Sequence, residues 1–112
     1  METSKVAKAK QHVAEAGLSR FVEIRAGDAL QTLRDPVGTT DLLFLDGWKE
    51  LYLDVLHLVS PSLRRGSVVL ADDVTLFPDE LTSYLDYVRE PAHGFVSVIL
   101  PLGDGIEYSV RL

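Results

Sequence analysis

The sequence predicts an α/β fold with a mostly parallel sheet and a C-terminal antiparallel hairpin. Three observations predict it. Segments with apolar residues at helical spacing alternate with short, continuous apolar runs. Two of those runs, DLLFLD and SVVLADD, end in carboxylates, at Asp46 and at Asp72-Asp73. In a parallel sheet, ligands bind beyond the carboxyl ends of the strands, so acids at those ends are placed for chemistry. Lastly, Gly103-Asp104-Gly105 separates two strand-like segments, as a hairpin turn does.

Taken in order, residues 4–16 set Val6, Ala9, Val13 and Ala16 on one stripe of a helix. Thr3 or Ser4 can cap its start, and Gly17 supplies the left-handed residue that ends it. Residues 21–25, FVEIR, alternate like a strand and stop at Gly27-Asp28. Residues 29–33 suit a short helix, broken by Asp35-Pro36 and Gly38. The continuous apolar run of residues 42–45 predicts a strand buried on both faces. Residues 49–59 form a helix with Leu51, Val55, Leu58 and Val59 on one side, closed off by Pro61 and Gly66. Residues 67–71 read as a second buried strand. Residues 79–88 form a helix led by Pro78, with Leu81, Tyr84, Leu85 and Val88 at amphipathic spacing. Strands over 95–100 and 106–112 complete the hairpin.

The chain has 112 residues, enough for one domain. Its 46% hydrophobic and 25% charged residues are ordinary for a globular protein. No apolar run approaches the roughly 18 residues that a membrane span needs. The start, METSKVAKAK, lacks the pattern of a signal peptide. There is no cysteine, which excludes disulfides and thiol chemistry; with no export signal, this points to the cytoplasm. The net charge of −6 is concentrated in residues 41–112, where five Lys/Arg stand against twelve Asp/Glu. That balance argues against nucleic acid as a partner, because phosphate contacts need clustered cations.

Asp46, Asp72 and Asp73 offer oxygen ligands at strand ends, where a hard cation such as Mg²⁺ binds. They can equally cap loops through Asx turns. Lys49 follows Asp46 by three residues. Its amine can reach back as a general base or point into water. Trp48, the single tryptophan, can stack on a flat ring or cover the end of the core. Asp28, in the Gly27-Asp28-Ala29 turn, can bond an exocyclic amine or cap a helix. His12, His57 and His93 lack ligand spacing, and no Gly-x-Ser-x-Gly grouping is present. A receiver-like phosphoacceptor fits poorly, since its acid pair would precede the phosphorylated Asp and here the pair follows it.

DLLFLDGWKELYL followed by RRGSVVLADDV resembles the metal-dependent catechol O-methyltransferase family of class I S-adenosylmethionine (SAM) methyltransferases. The similarity is most specific over residues 41–74 and looser elsewhere, as in KVAKAKQHVAEAGL and the AGDAL turn. It implies a partial Rossmann-like fold, SAM as cofactor, Mg²⁺ as the candidate metal and a small hydroxyl-bearing acceptor. By resemblance, Asp46 and Asp72 are metal ligands, and Asp73 stands where the family usually has a third ligand, Asn. Lys49 is the general base. Asp46, Gly47 and Trp48, with Gly27, Asp28 and Ala29, face the cofactor. Met1 and Glu2 fall just beyond the strand whose acidic tip holds the ribose.

The family's glycine-rich SAM loop has no counterpart in the 112 residues. The resemblance therefore implies the C-terminal portion of the domain, lacking the first strand and that loop and inactive alone. In the family's sheet order, two strands lie between those matching FVEIR and DLLFLD. A homo-oligomer is one way to cover the edges left open. The competing reading is a non-catalytic remnant or interaction module on the same scaffold.

Overall fold

A computed structural model describes residues 3–34 and 38–112. The chain divides into two compact units, Met1–Asp35 and Pro36–Leu112. Met1, Glu2 and the Asp35-Pro36 helix breaker lie outside the described residues.

The first unit holds helix α1 (Thr3–Glu15) and a one-turn helix α2 (Ala29–Thr32). α1 ends as its sequence predicts. Gly17 takes a φ of 73°, the Leu18 amide donates back to the Val13 carbonyl, and the Gly17 amide donates to Ala14. This closes the free carbonyls of the last turn. The strand expected at Phe21–Arg25 does not form. Among the described residues the segment is irregular and pairs with no strand. Alternating side chains prepare two faces, but only a hydrogen-bonding neighbour makes a strand.

The second unit is a four-stranded sheet with helices between its strands. Strand β1 (Thr40–Leu45) leads through a 3₁₀ turn (Lys49–Leu51) into α3 (Tyr52–Val59). β2 (Leu63–Ala71), α4 (Pro78–Val88), β3 (Phe95–Leu100) and β4 (Ile106–Arg111) follow. The strand order is β1-β2-β4-β3. β1 pairs with β2 in parallel, whereas β4 is antiparallel to both β2 and β3. The α/β class and the closing hairpin are as predicted, and the sheet is mixed.

Buried Ser67 ties the start of the parallel pair. It donates to the Thr40 carbonyl at 2.7 Å and accepts from the Arg64 amide. One face of the sheet forms the core, where Leu45, Val69, Ala71 and Phe95 are buried together with Leu56 of α3 and Leu81 and Val88 of α4. β1 is not buried on both faces as predicted. It lies at the sheet edge, and its outward Leu42 and Phe44 are 56% and 52% exposed. Among the described residues no helix is long and apolar enough to cross a membrane.

Candidate functional site

The site forms where β1 and β2 end side by side. Their parallel register carries Leu45 opposite Ala71, and the Asp72 amide then donates to the Leu45 carbonyl at 2.9 Å. This last ladder bond places Asp46 and Asp72 at the same sheet end. Asp73 follows in a left-handed conformation (φ 62°), with its amide donating to its neighbour's carboxylate, Asp72 Oδ1. Each of the three acids presents an oxygen within 4.8 Å of the others.

Lys49 starts the turn that leads into α3, and its amine reaches back over this corner. Nζ donates to Asp73 Oδ2 at 2.8 Å and to the Tyr52 hydroxyl at 2.8 Å, and it lies 3.7 Å from Asp46 Oδ1. The Tyr52 hydroxyl in turn donates to the Asp72 carbonyl at 3.1 Å. Tyr52 is buried, and its ring meets Tyr84 edge-on. Burial pulls the Lys49 amine down, but the hydrogen bonds to Asp73 and Tyr52 outweigh it and hold the amine above its ordinary value. Burial pushes the Tyr52 hydroxyl up, against the opposing pull of Lys49.

Asp46, Gly47, Trp48, Lys49, Glu50, Asp73, Phe77 and Glu80 line an open recess of about 590 Å³ beside this corner. Trp48 is 75% exposed at its lip, so the indole does not cover the core. Phe77 lies 5.7 Å from the Lys49 amine, within cation–π range. Three carboxylate oxygens within 4.8 Å of one another suit a hard divalent cation, which takes oxygen ligands. Asp46, Asp72 and Asp73 are the residues that could hold it.

The structure therefore brings together Asp46, Gly47, Trp48, Lys49, Asp72 and Asp73. Gly27, Asp28 and Ala29 belong to the other unit. There Asp28 caps α2, accepting from the Leu30 amide at 2.9 Å. His57 and His93 serve in packing, both against the Tyr87 ring. Sequence reasoning did not single out the Tyr52 hydroxyl as a partner of Lys49. The three-residue spacing from Lys49 was its one signal, because it puts both on neighbouring positions of a helical turn. Phe77 and Glu80 carried no signal, since only the fold returns α4 to this corner.

The chain matches a family model described as a methyltransferase domain over residues 1–74. It is 39% identical over 90 residues to catechol O-methyltransferase B of Danio rerio, a match covering 72% of this chain and 33% of that protein. An O-methyltransferase from Bacillus cereus, solved in complex with SAH, aligns with a TM-score of 0.81 at 18% identity, over 99% of this chain and 60% of its own. The O-methyltransferase TomG from Streptomyces achromogenes, solved with SAM, aligns with a TM-score of 0.82 at 23% identity, over 98% and 58%. The structural likenesses concern the fold. The chain spans about a third of the length of the curated relative.

Proposed function

Because the chain belongs to the methyltransferase domain family, we propose that it serves SAM-dependent methyl transfer to a hydroxyl oxygen of a small, catechol-like acceptor. The observation that carries this reading is the meeting of Asp46, Asp72, Asp73 and Lys49 at one strand-end corner. In this reading the 112 residues supply the acceptor side of a larger catalytic domain, consistent with their share of the relative's length.

Lys49 takes the acceptor's hydroxyl proton on Nζ. The resulting oxyanion would attack the sulfonium methyl carbon in line, its O–CH3 bond forming as the S–CH3 bond breaks and the cofactor leaves as a neutral thioether. Asp46, Asp72 and Asp73 would hold a divalent cation, which would supply positive charge to stabilise the acceptor oxyanion. Lys49 becomes a base only after its ion pair with Asp73 loosens, because that pair stabilises the ammonium. Phe77 and Trp48 offer apolar walls to an aromatic acceptor, and the rest of the work is orientation. On the cofactor side the reading keeps Asp46, Gly47 and Trp48. Gly27, Asp28 and Ala29 stay in it from the resemblance alone. A second copy of the chain, covering the open sheet edges, is the macromolecular partner it includes.

The test is methyl transfer from SAM to a catechol in the presence of Mg²⁺ by the larger catalytic domain that contains these 112 residues, with Lys49→Met as the matched variant. A general base contributes on the order of 10²–10⁴ in rate, so the variant should lose at least about 100-fold. Undiminished transfer by Lys49→Met would remove Lys49 from its role. One observation favours a second reading, a non-catalytic module on the same scaffold: the Lys49 amine is already engaged by Asp73 and Tyr52. Absence of transfer even when these residues are assayed within the larger catalytic domain selects that reading.

A further inference from the structure

We propose that Thr75 and Gly105 are positioning residues that hold Asp73 against the Lys49 amine; the inference rests on reading Asp73 and Lys49 as site residues. Among the described residues Asp73 is the one non-glycine with a positive φ, 62°. Side chains there are strained and persist when the surroundings over-determine them. The surroundings do so on both flanks. Before Asp73, the Asp72 amide is fixed to Leu45 of β1. After it, the next two amides are taken by the β3–β4 turn: Val74 donates to the Gly105 carbonyl at 3.1 Å and Thr75 to the Asp104 carbonyl at 3.0 Å. The Thr75 hydroxyl adds a second bond to that Asp104 carbonyl, at 2.6 Å.

This lacing requires a bare backbone at position 105. A Cβ on Gly105 would meet Thr75 Cγ2 at 2.7 Å and both Thr75 Oγ1 and Val74 Cγ2 at 3.2 Å. Any side chain there pushes Thr75 and Val74 away from the turn. Asp73, two residues before Thr75, moves with them. Gly103 gives a matched comparison within the same turn. It too has a positive φ, 55°, yet a Cβ there meets nothing within 4 Å. Alanine strains the backbone at either glycine, but only at 105 does it strike the loop that carries Asp73.

The test is limited acylation of the full chain without SAM or metal, with Lys49 modification quantified by mass spectrometry against exposed Lys8 and Lys10. In Gly105→Ala, relative labelling of Lys49 should rise roughly ten-fold, the lower range for losing one hydrogen bond between charged groups. Gly103→Ala should label like the wild type. Thr75→Val keeps the shape, removes the hydroxyl bond and should give an intermediate rise; it carries the test if Gly105→Ala does not fold. Equal labelling of Lys49 in the wild type and Thr75→Val, or an equal rise in both glycine variants, overturns the proposal. The readout is independent of catalysis. Failed methyl transfer leaves it standing, and equal labelling leaves methyl transfer standing.

Discussion

Lys49 has one amine and three neighbours, Asp73, Tyr52 and Asp46, and the balance among them has a sign. Its folded pKa is raised despite burial, and that of Tyr52 is raised by burial. Unfolded lysine and tyrosine titrate near 10.4 and about 10 respectively. A folded pKa above the unfolded one gives stability that is complete below the unfolded value and lost as pH rises through the folded one. The Lys49 and Tyr52 shifts should therefore weaken the fold as pH rises above about 10. Tyr52→Phe removes one of the two ionisations and both hydroxyl bonds. It should cost about 1–2 kcal/mol at neutral pH and show a shallower alkaline loss than the wild type. Urea midpoints measured from about pH 8 to about pH 11 check both. Parallel pH curves for the two proteins would show that the tyrosine is not held as described.

The elements set at a helical period were legible in the sequence, because a stripe at steps of three and four reports packing directly. α3 and α4 appear within a few residues of their predicted bounds. β3 matches at both ends, and β2 begins four residues earlier than read. Two strand readings went wrong for one reason: strand character is settled by neighbours that the local sequence does not contain. Phe21–Arg25 has the alternation without a partner, and β1 has the apolar run without a second covered face. Asp46, Lys49, Asp72 and Asp73 were legible because strand ends in a parallel pair must converge. The lacing of Thr75 to Asp104 was not, since 29 residues separate them.

Equally hidden was Glu107 of β4, fully buried in an alternating strand that otherwise reads as routine. It accepts two bonds from Arg89, just past the end of α4, at 2.9 and 2.8 Å, and one from Ser97 of β3 at 2.7 Å. Arg89→Met strands that carboxylate. Breaking a buried pair costs about 3–5 kcal/mol; because the Arg89 side chain is 45% exposed, the loss here should be smaller, about 2–3 kcal/mol. Chemical denaturation measures it. A loss under about 0.5 kcal/mol, the scale of an ordinary surface change, would mean that water replaces the guanidinium.

The sheet as a whole has a covered face and an exposed one, and the exposed one is apolar. Leu42 and Phe44 of β1 and Val96 and Val98 of β3 are each at least half exposed. The register sets Leu42, Val68, Val110 and Val96 in one row across the strands, with Phe44, Leu70, Tyr108 and Val98 in the next. Two adjoining apolar rows make a patch, which marks an interaction surface more strongly than scattered single residues do. The net charge of −6 opposes contact between copies, so added salt should screen the repulsion and strengthen association through this face. Sedimentation should then show a concentration-dependent oligomer that grows with ionic strength. Phe44→Lys combined with Val98→Lys should abolish it. Because both side chains are already about half in water, the pair should cost under roughly 1 kcal/mol of stability. A wild type that stays monomeric at every concentration and salt tested would rule out a second copy as the occupant of this face.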